Sequence, residues 1–186
     1  MQTDVIIAGF GGQGVMLMGK MLAYGGMREG KQVSWLPSYG PEMRGGTANC
    51  TVVISDKPVG SPVVGRPMAV IALNLPSLDK FEPMLQPGGV LRINTSLITR
   101  SAQRRDLVVV DVPANEIAVK LENPRGANMV ILGAYLGASH ALTLDTVSTI
   151  VRETFADKPK TVEPNLRTLA EGFALGEAAA RKGVAA

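Results

Sequence analysis

Glycines 9, 11 and 14, with Gly12 and Gln13 between them, follow the apolar run Asp4–Ala8 and precede an apolar segment long enough for a helix. That spacing fits the strand-to-helix turn of a mononucleotide-binding fold, permitting a tight turn, close approach of a ligand to the backbone, and close packing of helix on strand. Backbone N–H groups at the start of the helix then point at an anion such as a phosphate or carboxylate, and the helix dipole favours it. The plainer alternative is that the glycines only let helix and sheet pack tightly. A second cluster, Ser38-Tyr39-Gly40-Pro41-Glu42-Met43-Arg44-Gly45-Gly46, ends the next strand. In a parallel open sheet both turns fall outside the carboxyl ends of the strands, so one edge is expected to be the functional edge. Glu42 and Arg44 are exposed there on a backbone restricted by proline and glycine, either to grip a ligand or a neighbouring protein or to pair with each other.

Other chemistries are poorly supplied. A dinucleotide site adds an acidic residue about 20 positions on, at the end of the second strand. Here the strand expected at Gln32–Leu36 ends in Pro37-Ser38-Tyr39 with no carboxylate, which counts against a stand-alone NAD or FAD domain. Gly14 is followed by Val15 and Met16 rather than a Walker lysine. His140 stands beside Ser139 at an expected helix end, where a local hydrogen bond is the ordinary fate. Cys50 lies in a strand, where an inert buried thiol is the default. Nothing has metal-ligand spacing, and no catalytic residue is assigned.

The segments Gly9-Phe10-Gly11-Gly12-Gln13-Gly14-Val15 and Pro37–Asp56 together resemble the gamma subunit of the 2-oxoacid:ferredoxin oxidoreductases. Ala72–Asp79, Pro87–Val90, Pro113–Asn115 and Asn128–Gly133 extend the likeness over nearly the whole chain. The Glu42–Ala48 wording is closer to the 2-oxoglutarate and branched-chain members than to the pyruvate enzymes. The resemblance implies a hetero-oligomer that oxidatively decarboxylates a 2-oxoacid to its acyl-CoA and reduces ferredoxin. It implies thiamine diphosphate with Mg2+ and iron–sulfur clusters on thiamine-binding and ferredoxin-like partner subunits. This chain is expected to hold neither, lacking a Gly-Asp-Gly thiamine motif and having one cysteine where a cluster needs about four thiolates. Its candidate binding residues, for coenzyme A or for partner subunits, are Gly9, Gly11, Gly12, Gln13, Gly14, Tyr39, Gly40, Glu42, Arg44 and Asn74. Asn94, Thr95 and Ser96 rank behind them, weighed against turn formation and helix capping. A purely structural interaction module is the other class kept open.

The 186 residues, 46% hydrophobic and 19% charged, are expected to form one domain with a proper core, some of its apolar surface covered by other subunits. The fold class expected is α/β: a Rossmann-like open, mostly parallel sheet with helices on both faces. Net charge of +3 is too mild for nucleic acid without a basic face, and 4% aromatics offers no stacking platform. Arg100, Arg104 and Arg105 read as a solvated loop or a dock for an acidic partner. Lacking a signal-peptide pattern or membrane span, the chain is expected to be cytoplasmic.

Strands are expected at Gln32–Leu36, Ala48–Ser55, Met68–Leu73, Val90–Asn94 and Leu107–Val112, with Ala48–Ser55 antiparallel at a sheet edge. Helices are expected at Gln13–Arg28, from Pro76 through Leu85, from Asn115 to about Leu121, around Met129–Leu136, and at Asn165–Arg181. Methionines of the first helix should fill the core. Gly133 and Gly137 should form a close-packing face, and Leu166, Leu169 and Phe173 a stripe against the domain itself or a partner.

Overall fold

The apolar run near the amino terminus forms β1 (Gln2–Phe10), which is buried on both faces from Asp4 to Gly9. A strand apolar on both sides belongs in the middle of a sheet covered by helices. The computed structural model describes residues 1–40 and 46–184. After β1 come α1 (Val15–Arg28), β2 (Gln32–Tyr39), β3 (Thr47–Ser55), β4 (Ala69–Ala72), α2 (Leu75–Phe81) and a 3₁₀ turn at Glu82–Met84. Next are β5 (Val90–Asn94), β6 (Val108–Val112), α3 (Ala114–Lys120), α4 (Ala127–Ser139), α5 (Leu144–Thr154) and α6 (Pro159–Val184).

The strands form one six-stranded sheet in the order β2-β3-β1-β4-β5-β6. β1, β4, β5 and β6 are parallel, whereas β3 is antiparallel to both β1 and β2. Val5 and Ile7 face a core shared with Met18 and Leu22 of α1 and Met129 to Leu136 of α4. Ile6 and Ala8 face a smaller core with Leu78 and Phe81 of α2. The mostly parallel α/β sheet with helices on both faces is thus present, and Met18 and Met21 are core residues.

Three expectations need correction. β3 pairs antiparallel as expected, but it is an interior strand, and β2 takes the edge. Alternation of β-branched residues describes a buried strand equally well at either place, and only long-range pairing decides. β2 also continues through Ser38 and Tyr39, with Pro37 opposite Cys50, a place open to proline because the strand is an edge. α6 begins at Pro159 rather than Asn165, carrying Pro164 within it. As the sixth residue of the helix, Pro164 lies past the first turn and costs one bond of the ladder, the one its N–H would make to the Lys160 carbonyl.

Leu169 is fully buried and Leu166 and Phe173 pack on the same core, so the stripe serves this chain's own packing. Arg100 and Arg104 turn towards Asp79, Glu82 and Asp106, which leaves the expected basic loop charge-paired rather than free. Among the described residues no helix is long and apolar enough to cross a membrane.

Candidate functional site

Because β1 and β2 both run antiparallel to β3, their carboxyl ends flank the start of β3, with Phe10 opposite Thr47 and Tyr39 opposite Ala48. The Gly11 N–H donates to the Gly46 carbonyl at 3.0 Å and the Gly40 N–H to the Thr47 carbonyl at 2.7 Å. The two glycine clusters therefore meet on one edge. Tyr39 is exposed beside them. Glu42 and Arg44 lie outside the described residues.

Gly14 caps α1 with a left-handed backbone (φ 83°) and no side-chain cap. A β-carbon there would also strike the Asn128 amide, so both conformation and space call for glycine. Gly9 plays a packing part: a β-carbon on it would lie 2.6 Å from Gln13 Oε1. That oxygen accepts from the Phe10 N–H at 2.7 Å and from Asn74 Nδ2 at 3.3 Å, while Gln13 Nε2 donates to the Leu73 carbonyl at 3.3 Å. Asn74 Oδ1 accepts from the Ser77 N–H at 2.9 Å and caps α2. Gln13 and Asn74, candidates from the sequence, bind each other and the backbone, and Gln13 also lines the cleft described next. The reason is topological: α1 and α2 leave β1 and β4 on opposite faces of the sheet, and these side chains bridge the two departing loops.

Beside that bridge lies a cleft of about 350 Å³, at the switch point where open α/β sheets bind ligands. Gly12, Gln13 and Leu73 form one wall, Asn94, Leu97 and Asn115 another, and Arg125, Ala127 and Asn128 the mouth of α4. Asn94 is buried; its Nδ2 donates to Asn115 Oδ1 at 2.9 Å, whereas its Oδ1 has no partner. A buried acceptor left unbonded is costly and calls for a donor. Ser96 is spent, its Oγ accepting from the Asn115 and Glu116 N–H groups at 3.1 and 3.3 Å, and Thr95 donates its N–H to Val112. Among the described residues the lining holds one cation, Arg125, and no carboxylate, and the amino terminus of α4 adds positive potential. This is a polar cleft suited to a ligand that carries an anionic group for Arg125 and an N–H or O–H donor for Asn94 Oδ1. Arg125 and Asn128 were not among the candidates; their signal was the Asn123-Pro124-Arg125-Gly126 turn before an apolar helix.

Cys50 does not fit a cluster ligand. It is buried, its thiol donates to the Val15 carbonyl at 3.5 Å, and burial pushes its pKa up to about 12. Among the described residues, no group of three or more His, Cys, Asp or Glu side chains is placed to hold a metal. His140 makes no pair with Ser139, whose Oγ donates to the Tyr135 carbonyl and accepts from the Ala141 N–H; its ring stands edge-on to Phe173. Alkylation of Cys50 is expected only after unfolding. The unfolded thiol loses its proton near the ordinary value of 9.0 while the folded one keeps it to about 12, so the unfolded state binds fewer protons in that window and stability falls as pH rises. Urea titrations should show this slope above about pH 9; the buried Tyr135 hydroxyl, also raised by burial, adds a slope of the same sign at higher pH, so a slope undiminished in Cys50→Ala would refute the assignment.

The family described as pyruvate ferredoxin/flavodoxin oxidoreductase matches residues 4–175. The chain belongs to this family. Among relatives, the ketoisovalerate oxidoreductase subunit VorA of Methanothermobacter thermautotrophicus is 44% identical over 172 residues, covering 92% of this chain but 36% of that protein. The chain thus spans about a third of the length of that relative. The 2-oxoglutarate synthase subunit KorC of Methanocaldococcus jannaschii is 30% identical, with 93% of each chain covered. In structure, the gamma subunit of the keto/oxoacid ferredoxin oxidoreductase from Geobacter sulfurreducens superposes with a TM-score of 0.82 at 28% identity, covering 96% of this chain and 98% of that one. The 2-oxoglutarate:ferredoxin oxidoreductase of Magnetococcus marinus shares the fold, with a TM-score of 0.88 at 21% identity, over 95% of this chain and 31% of that one. Both glycine loops and every cleft residue of this pyruvate ferredoxin/flavodoxin oxidoreductase family member fall inside the matched span.

Proposed function

We propose that the chain acts over residues 1–186 as the gamma-type domain of a 2-oxoacid:ferredoxin oxidoreductase, and that its switch-point cleft positions an anionic part of coenzyme A. The carrying observation is the cleft itself: a buried unbonded Asn94 Oδ1, one cation at the mouth and two glycine loops tied by the Gly11–Gly46 hydrogen bond. Support for coenzyme A comes from the Magnetococcus marinus enzyme of the same fold, described with 2-oxoglutarate, coenzyme A and succinyl-CoA bound. Greater identity to the ketoisovalerate subunit, 44% against 30% for the 2-oxoglutarate one, supports a branched-chain 2-oxoacid. In such an assembly thiamine diphosphate and Mg2+ supply carbanion stabilisation, and iron–sulfur clusters supply electron transfer to ferredoxin. This chain's residues bind and orient. Arg125 attracts the phosphate-bearing end, Asn94 Oδ1 accepts from an amide N–H or hydroxyl of the ligand rather than from a phosphate, and the N–H groups beginning α4 face the anion. Exposed Tyr39, Leu75 and Leu97 on the same edge support contact with a thiamine-binding partner subunit.

The test is Arg125→Glu in the reconstituted complex. Replacing a charge-assisted contact by a repulsive one is expected to raise the KM for coenzyme A at least about tenfold, with kcat at saturation retained. Arg44→Ala, two residues before Gly46 in the sequence, should act in the same direction. An unchanged KM in both variants, with assembly intact by gel filtration, would defeat coenzyme A placement.

A further inference from the structure

On the opposite edge of the sheet, roughly 20 Å along β1 from the glycine turn, a second cavity of about 270 Å³ lies between the starts of β1, β4 and β5 and the end of α4. Arg92 of β5 and Tyr135 of α4 line it, with Thr3, Gln86 and Ser139. Arg92 is 0% exposed, which is rare for a cation without a counter-charge. It forms no ion pair among the described residues. Its Nε and Nη2 donate to the Ala134 and Tyr135 carbonyls, each at 3.3 Å, near the carboxyl end of α4, where the helix dipole gives partial compensation. Its plane lies 4.9 Å over the Tyr135 ring.

Those contacts leave Nη1 over, buried and unbonded, and the Tyr135 hydroxyl, also buried, is unbonded too, although the Thr3 and Ser139 side chains lie beside it. Both orphan donors thus belong to residues that line one cavity, one of them a cation compensated only in part, by the α4 carbonyls. The volume is about nine times the ~30 Å³ share of a liquid water, room for an organic anion of a few carbons. Two donors match the two oxygens of a carboxylate, and the half of the cavity formed by Ala69, Val90 and Met68 is apolar enough for a short hydrocarbon tail. We propose that this cavity binds a small aliphatic carboxylate, one oxygen accepting from Arg92 Nη1 and the other from the Tyr135 hydroxyl.

This assignment is independent of the coenzyme A cleft. Calorimetric titration of the full chain with sodium propionate, at ionic strength held constant with sodium chloride, should give saturable binding that sodium phosphate does not reproduce. Tyr135→Phe keeps the ring and the packing, and should weaken propionate binding about tenfold or more, the usual consequence of losing a hydrogen bond to a charged group. Arg92→Met should abolish it; if that variant fails to fold, Tyr135→Phe decides alone. Absence of saturable propionate binding, equal binding by Tyr135→Phe, or crystals soaked in propionate showing only water on Nη1 and the hydroxyl would each overturn the site.

Discussion

Gly172→Ala is expected to destabilise the chain by about 3 kcal/mol, far beyond what a methyl group costs on an ordinary helix surface. α4 and α6 touch through glycines spaced four apart on both helices, Gly133 and Gly137 against Gly172 and Gly176. A β-carbon at Gly172 would overlap the Val130 carbonyl oxygen and lie 2.7 Å from its carbon and 3.0 Å from its Cα. These are backbone atoms, so no rotamer change relieves the clash, and the helices must separate. Separation opens the densest part of the core, since α4 is buried continuously from Met129 to Gly137. Alanine's better helix propensity returns about 1 kcal/mol, which overpacking against a rigid backbone exceeds. Measured by urea denaturation, the loss would be a large share of the ~5–15 kcal/mol typical of a domain. Gly60→Ala, at a position with open space around it, is the control. Equal midpoints for the two variants would mean that α4 and α6 do not make this contact.

The glycine face of α4 was legible because it repeats at helical spacing, and so was the turn after β1, where spacing and flanking strand agree. What local pattern could not carry was partnership across long sequence separation. Gln13 reads as a ligand group, and its hydrogen bond from Asn74, 61 residues away, is not visible in that reading. Arg92 lies in the strand Val90–Asn94, and the sequence singles it out for nothing. Its burial depends on helix carbonyls 42 and 43 residues downstream, and no alternation of apolar residues encodes that. The cleft shows the same limit: Gly12 marks one wall, but Arg125 and Asn128 arrive on a helix whose docking is tertiary. The missing carboxylate after β2 was readable from sequence, because that role is tied to a position on the chain.

The loop between β5 and β6 carries the second large expectation. Read locally, Arg100, Arg104 and Arg105 are a charged surface run, yet the loop closes over a carboxylate from the 3₁₀ turn, Glu82, which is only 2% exposed. Glu82 Oε1 accepts from the backbone N–H groups of Gln103 and Arg104, the latter at 2.9 Å, and Oε2 accepts from Arg100 Nη1 at 2.9 Å. Arg104 in turn donates to the Glu82 and Leu85 carbonyls and pairs with Asp106. One buried side chain therefore fixes the approach to edge strand β6. Glu82→Ala leaves the Gln103 and Arg104 amides without their acceptor and removes one of the two carboxylates on Arg100, which keeps Asp79 and the Ser101 carbonyl. Breaking a buried pair of this kind costs about 3–5 kcal/mol, and because the Arg100 side chain keeps 23% of its surface in water, the lower end is expected here. Glu82→Gln preserves the shape but has one acceptor for two tasks, so it should lose about 1–3 kcal/mol. Hydrogen exchange gives the discriminating readout. The Gln103 and Arg104 amides should lose protection in Glu82→Gln while those of β1 keep theirs, and Arg105→Ala, at an exposed position outside this network, should leave both sets unchanged. Unaltered protection at Gln103 and Arg104 in Glu82→Gln would show that the loop is held by something other than this carboxylate.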